Sequence, residues 1–508
     1  MKRIAVLLAI IILFCACQPT PEQDAVKQKE TNVLIDTVKA DQQEQQNGGE
    51  TLPPVKEQFP ERFQCDEATE ARGVHIAADA PIEVLTENAS FPVLRIEHRY
   101  LTNEERLSIC RRLFGADTLY IWQMAPRTRD DIKRNLESCL HSIEYLSEHK
   151  AEWMRESDST EQEWKEMLDS QQQRLSDLKQ EFSSLPGDVK AEPNKPWDGS
   201  LPEDNPSPMD WNAITIVDAP DLHDIAIQYY DWVGVEEQSM DRVLYYSHAR
   251  SEHDLIGTAG GFHGETADAE RIMPKAFDTP PVDGAITARE AIGIVKDMLG
   301  KEAEHYAVAD VWWSNNAASE GEIQGVYDKW GYLIRLTPAF SGAQMVFLYD
   351  FAYEGSDDYS RYWPYDRIEA NVASDGTLLS LSWDGALKVT ETVSETSPLL
   401  PYDEVKTLFI NQMNRVFSME EHAGGTVSLS CVRLGLMRIR EENDMEHGLL
   451  IPAWFFFGTF AYTEQERDAR IKQGFFPEEA ARNTYNSEHP LLIINAIDGS
   501  IIDPMKGY

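Results

Sequence analysis

The side chains best equipped for chemistry in this 508-residue sequence are a cysteine near its start and a scatter of histidines near its middle. Phe14-Cys15-Ala16-Cys17 closes an apolar run, Ile4 to Phe14, that follows Lys2 and Arg3. Diacylglyceryl transfer and cleavage need a small residue directly before the acceptor thiol; Ala16 gives Cys17 that neighbour, whereas bulky Phe14 precedes Cys15. The run is too short to span a bilayer as a helix. Residues 1–17 are therefore expected to be a lipoprotein signal peptide with its lipobox cysteine. Two acyl chains on Cys17 suffice to hold a protein at a membrane leaflet. The body is expected outside the cytoplasm, anchored to a bacterial cell membrane.

His248 and His253 stand five residues apart, a spacing that does not align them on one helix face, and Asp254 and His263 join them only if a loop folds back. The expected reading is ordinary loop histidines, with no metal and no cofactor. Gly260-Gly261-Phe262-His263-Gly264 has no helix start directly after it and reads as a surface loop rather than an anion cradle. No His-Glu-x-x-His, Gly-x-Ser-x-Gly, phosphate loop or Ser-x-x-Lys set occurs, so no catalytic residue is assigned. Trp312, Trp313, Trp330 and Trp363, with the aromatic loop Tyr359 to Tyr365, have the chemistry to stack on a sugar; aromatic strands more commonly cover cores. No ligand-binding residue is assigned.

The 87 acidic against 46 basic residues give a net charge of -41, which repels nucleic acid and anionic lipid alike. Beyond the leader, Cys65, Cys110, Cys139 and Cys431 show no Cys-x-x-Cys spacing and are expected to be free buried thiols.

These residues need a frame. Residues 18–60, poor in large apolar side chains, are expected to be a disordered tether. Residues 61–127 read as a small α+β unit: strands at Val74 to Val84, Pro92 to Tyr100 and Leu119 to Met124, and a helix opened at Thr102 and stopped by Gly115. Within 128–185, Ile132, Leu136, Cys139, Ile143 and Leu146, then Trp164, Leu168, Leu175, Leu178 and Phe182, step at helical spacing around the break Glu156 to Thr160. That predicts an antiparallel helical hairpin, with a single kinked helix as the alternative. Residues 186–210 are a Pro-rich linker.

The remainder reads as one unit written twice, over 211–395 and 396–508. A helix begins at the capping box Thr287 to Glu290, strands follow, and Ser374-Asp375-Gly376-Thr377 turns a hairpin; Pro401 opens a second helix, strands follow again, and Ile497-Asp498-Gly499-Ser500 turns the last hairpin. An Asp-Gly pair predicts a tight turn with both central residues at positive φ. Trp454, Phe456 and Phe460 alternate with Phe455 and Phe457, which predicts a central strand covered on both faces. The fold class expected is α+β, each half of the pair a curved antiparallel sheet with a helix on one face.

The helix starts Ile286 to Ala291 and Leu400 to Val405, together with the two Asp-Gly endings, resemble PepSY-type modules. Their order behind a lipobox and a helical hairpin, with the segment Tyr362-Trp363-Pro364-Tyr365-Asp366-Arg367-Ile368-Glu369, is similar to an uncharacterised lipoprotein family of Gram-positive anaerobes. The likeness covers most of the chain from about residue 65. It implies a non-catalytic, extracytoplasmic interaction role, such as restraining a protease or adjusting a membrane sensor, and brings no catalytic motif. The function expected is a binding or regulatory lipoprotein with an envelope protein as partner. The alternatives are an envelope hydrolase acting on peptide or glycan, and a solute-binding lipoprotein.

Overall fold

The computed structural model of the chain describes residues 34–40, 53–68, 75–123, 128–157, 160–185, 192–200, 213–221, 232–236, 242–247, 269–315, 330–349, 365–416, 425–440, 447–472 and 489–503. Cys17, His248, His253, Asp254, His263, Tyr359 and Trp363 lie outside the described residues, and with them the expectations attached to those side chains.

Residues 34–40 form α1, and Val55–Gln58 is α2. Strands β1 (Arg62–Ala68), β2 (His75–Val84) and β3 (Val93–His98) come next. Thr102 and Glu105 cap α3 (Asn103–Phe114) reciprocally, and Gly115 ends it in a left-handed conformation. After β4 (Tyr120–Ile121) stand α4 (Arg129–Glu148), α5 (Lys150–Glu156) and α6 (Glu161–Ser184). The short strands β5 (Lys195–Pro196), β6 (Ala213–Val217), β7 (Trp232–Glu236), β8 (Arg242–Ser247) and β9 (Glu270–Arg271) lead to α7 (Ala288–Leu299), capped by Thr287 with Glu290. Then come β10 (Tyr306–Asn315), β11 (Trp330–Phe340), β12 (Ala343–Gln344), β13 (Arg367–Ala373), β14 (Leu378–Asp384) and β15 (Leu387–Ser394). The chain closes with α8 (Tyr402–Val416), β16 (Gly425–Arg440), β17 (His447–Tyr462), α9 (Glu464–Lys472) and β18 (Pro490–Asn495). The fold is α+β.

Among the described residues the strands form two sheets. The larger runs β5-β4-β6-β7-β8-β14-β13-β11-β10-β9, with β12 on β11; the smaller runs β1-β2-β16-β17-β3-β15, with β18 on β17. Leu113 and Phe114 of α3 and Ala291 and Val295 of α7 share one core with Ile334, Leu336, Ile368 and Trp383 of the large sheet. Val55 of α2 and Val405, Phe409 and Met413 of α8 cover one face of the small sheet, against Trp454, Phe456 and Phe460. Phe455 and Phe457 belong to a second core on the reverse face, with Val346, Leu348, Tyr365 and Leu34, Ile35 and Val38 of α1, so β17 is covered on both sides as its alternation predicts.

Four expectations need correction. The spans 211–395 and 396–508 are not two self-contained antiparallel sheets, because β15 of the first pairs with β3 in the small sheet and β16 of the second pairs in parallel with β2. The stretch 61–127 is not a separate unit: β1, β2 and β3 belong to the small sheet, where β2 pairs in parallel with β16, while α3 and β4 belong to the large sheet. β1, β2 and β3 expose ladder edges and apolar faces that β15, β16 and β17 complete. The stretch 18–60 is not coil throughout, because α1 buries Leu34, Ile35 and Val38 and α2 buries Val55. In the expected linker, β5 is the edge strand of the large sheet, a position that tolerates Pro196, and Trp197 is buried.

The hairpin packs α4 on α6 through Ile132, Cys139 and Leu178, with Leu136, Ile143, Leu175 and Phe182 around them. The break before Thr160 is where the sequence places it, and a second interruption falls at His149. Cys65, Cys110, Cys139 and Cys431 are free and buried.

The order of helix, antiparallel strands and Asp-Gly turn recurs in the hydrogen bonds. In the first copy α7 precedes the meander β10-β11-β13-β14; in the second α8 precedes β16-β17-β18, closed by the bridge from Ile494 to Ile501. Asp375 accepts from the Thr377 N–H and Asp498 from the Ser500 N–H. Only the glycine of each turn takes positive φ, +92° at Gly376 and +74° at Gly499. In the first turn the Gly376 N–H bonds Ala373 and the Ala373 N–H bonds Thr377, a three-residue loop with a left-handed glycine in place of the expected two-residue turn.

Each glycine lies under its own helix, Gly376 against Ile286 and Ile294, Gly499 against Leu400 and Leu408. An L side chain at such φ costs about 1–2 kcal/mol. The two alanine variants should differ, because the new Cβ would stand 2.8 Å from Leu408 at Gly499 but 3.4 Å from Ile294 at Gly376. Urea denaturation should show Gly499→Ala as the more destabilised variant.

Candidate functional site: a buried charged layer

On β11, Tyr332, Ile334 and Leu336 point into the helix-covered core, so period-two alternation turns Leu333, Arg335 and Thr337 to the opposite face. Arg335 is 5% exposed there. Its Nε donates to Glu369 Oε2 at 3.1 Å, Asp310 Oδ1 stands 3.7 Å from Nη1, and its Nη2 bonds the Tyr349 hydroxyl. The guanidinium lies over the rings of Phe347 and Tyr349, 5.0 and 4.8 Å from their centroids. Tyr349 in turn donates to Glu369 at 2.7 Å. Arg367, two residues before Glu369 on the same face of β13, donates to the Leu348 carbonyl and pairs with Asp384 at 3.2 Å.

A second group joins the two sheets. Glu83 on β2 accepts from Arg433 Nε of β16 at 2.8 Å and from both terminal nitrogens of Arg271 on β9, at 2.8 and 3.3 Å. Arg271 belongs to the large sheet and Glu83 to the small one. Burial works to raise the Glu83 carboxyl, but Arg433 and Arg271 overcome it and hold the group down at about 2. Burial works to lower Arg433, and Glu83 and Asp310 raise it above its ordinary value, so Asp310 couples this group to the Arg335 cluster.

A third group occupies the crossover from β14 to β15. Asp366, 2% exposed, accepts from Tyr306 Oη at 2.6 Å and Trp383 Nε1 at 3.2 Å on Oδ1, and from the Leu387 N–H at 3.0 Å on Oδ2. Burial pushes its carboxyl up to about 7, against the donors Tyr306, Leu387 and Trp383 and the neighbouring Arg99. Arg99 is itself held by Glu302 at 2.6 Å and Glu105 at 2.8 Å. A carboxyl near 7 has the acidity suited to proton transfer at neutral pH. Its surroundings point elsewhere: three donors from the protein converge on a fully enclosed group, the arrangement of a structural staple. The carboxylates of the other two groups meet guanidinium groups within the fold.

The described aromatic candidates are core residues. Trp313 is buried and stacks on Trp330 at 5.9 Å, and Trp312 donates to Asp310 at 2.8 Å. Tyr365 is buried beneath the Arg438 guanidinium, 4.5 Å from its ring centroid. The residues that sequence reasoning did not single out are Glu83, Arg335, Arg433, Arg99 and Tyr306. Asp366, Arg367 and Glu369 were noticed only as part of a resemblance. The available signal was charge inside otherwise apolar strands, as in Leu333-Ile334-Arg335-Leu336, since a charge that a sheet buries must be paired.

No protein-family model matches the chain, and no curated sequence does. A crystal structure of an uncharacterized protein from Eubacterium rectale aligns over 94% of this chain and 99% of its own length, with a TM-score of 0.46 and 9% identity.

Proposed function

We propose that this chain is a lipid-anchored extracytoplasmic lipoprotein of a bacterial cell envelope, acting as a non-catalytic binding or regulatory scaffold for an envelope protein. The observation that carries the reading is Cys17 behind Ala16 at the end of a positively started apolar run. The two helix-and-meander copies are read as PepSY-like modules. The scaffold role draws support from the charged layer, whose carboxylates are committed to arginines and backbone donors within the fold. It also draws on the hairpin, which carries a hydrophobic core of its own, distinct from those of the sheets. A surface of fixed shape with a self-supporting helical arm suits contact with a macromolecule.

The first test is metabolic labelling with a fatty-acid probe. The chain should be labelled and recovered with membranes, and Cys17→Ala should abolish both; an unlabelled chain in the cytosol would refute the anchoring. The second is crosslinking on intact cells followed by purification from membranes. One stoichiometric partner is expected, lost when residues 128–185 are deleted, and recovery of none would overturn the scaffold role.

A further inference from the structure

The small sheet has two apolar faces, and they are covered unequally. One carries α8 and α2. The other buries Val93, Leu449, Ile451, Phe455, Phe457 and Ile493 in one core with Val346, Leu348 and Tyr365, and α1 is the helix that shares that core. Leu34, Ile35 and Val38 are buried there, while Asp36, Thr37, Lys39 and Ala40 are exposed. A helix this short does not persist alone in water, because nucleation is costly and β-branched Ile35, Thr37 and Val38 add nothing to it. Its helicity must therefore come from docking. Three aliphatic side chains offset the ordering of the segment only narrowly, so docking and helix formation are one weak, coupled step.

We infer that residues 34–40 are a releasable clasp: an amphipathic helix that binds, in cis, a groove for aliphatic side chains at positions i, i+1 and i+4 on the reverse face of the small sheet. The consequence for reach rests on the acylation of Cys17 proposed above. With the clasp docked, residues 18–33 alone separate the anchor from the body and span at most about 55 Å; released, residues 18–52 span at most about 120 Å before α2. Opening the clasp would thus let the body stand farther from the membrane, and would bare a groove that a partner helix of the same pattern could fill.

Two measurements on the full chain carrying Cys17→Ser decide the clasp without any dependence on acylation. In hydrogen exchange, the amides of residues 37–40 should be protected, yet open well before those of Phe455 and Phe457. Protection equal to that of β17 would mean the helix leaves only on global unfolding, and no protection would mean it never docks; either outcome overturns the clasp. In fluorescence anisotropy, a labelled peptide of residues 31–42 should bind the Leu34→Asp, Val38→Asp double variant at least tenfold more tightly than the chain with its own helix in place, since a tethered competitor acts at a high effective concentration. Equal binding to both, with circular dichroism showing the variant folded, would overturn it. A variant that fails to fold leaves the decision to the exchange experiment.

Discussion

Asp366→Ala should be the most damaging single substitution in this chain, lowering the unfolding free energy at pH 5 by about 4 kcal/mol or more, because each buried donor left unpaired costs about 1–3 kcal/mol. The donors orphaned would be the Tyr306 hydroxyl, the Trp383 indole N–H and the Leu387 amide. They come from β10, β14 and β15, so the loss falls where the chain leaves one sheet for the other. The companion variant Asp366→Asn keeps the shape and removes the titration. Folding raises the carboxyl from 3.8 to about 7, so the folded state binds the proton more tightly than the unfolded chain does. Stability from this group is fully present below the unfolded value and is lost as pH rises through about 7, a loss of about 4 kcal/mol for a shift of about 3 pH units. Urea titrations between pH 4.5 and 8 should show stability falling with pH in the native chain and a flatter profile in Asp366→Asn. Identical slopes would refute the assignment.

Glu83→Ala should come next, at about 3–5 kcal/mol, because removing one member of a buried ionic group strands the rest without compensation. Arg433 would lose its nearest carboxylate and keep only the influence of Asp310, which stands 3.7 Å from Arg335 as well. The effect is one of broken compensation rather than of lost attraction. Replacing Glu83, Arg271 and Arg433 together by leucine should therefore restore most of the stability. The pH sign is opposite to that of Asp366. Folding depresses the Glu83 carboxyl to about 2, so its contribution is present above its ordinary value of 4.5 and is lost as pH falls from there through about 2. Together the two groups give a stability maximum near pH 4 to 5. Urea is the denaturant of choice, since guanidinium would screen the ion pairs being measured.

Thr102 with Glu105, Thr160 with Glu163 and Thr287 with Glu290 announce helix starts through bonds made within four residues, and the structure forms each one. The order helix, meander and Asp-Gly hairpin was legible twice for the same reason. The turn type was not: a left-handed glycine serves two-residue and three-residue loops alike, and the flanking strand register chooses between them. The charged layer was legible only as an oddity. Arg335 and Glu369 are adjacent because β11 and β13 pair in one register, and Glu83 meets Arg271 because two sheets come together.

The sequence alone determined the α+β class, the capped helices, the hairpin arm, the repeated order of helix, strands and Asp-Gly turn, and the covered strand at Trp454 to Phe460. Those features rest on contacts between near neighbours or on a period along one element. Tertiary structure alone decided that β2 lies parallel to β16, that β1, β2 and β3 complete the C-terminal sheet, that α1 joins the core on its reverse face, and which arginine each buried carboxylate meets. A strand's apolar face states that it needs a partner but not which one, since burial is non-directional and many faces satisfy it equally. Only the simultaneous packing of all the elements selects among them.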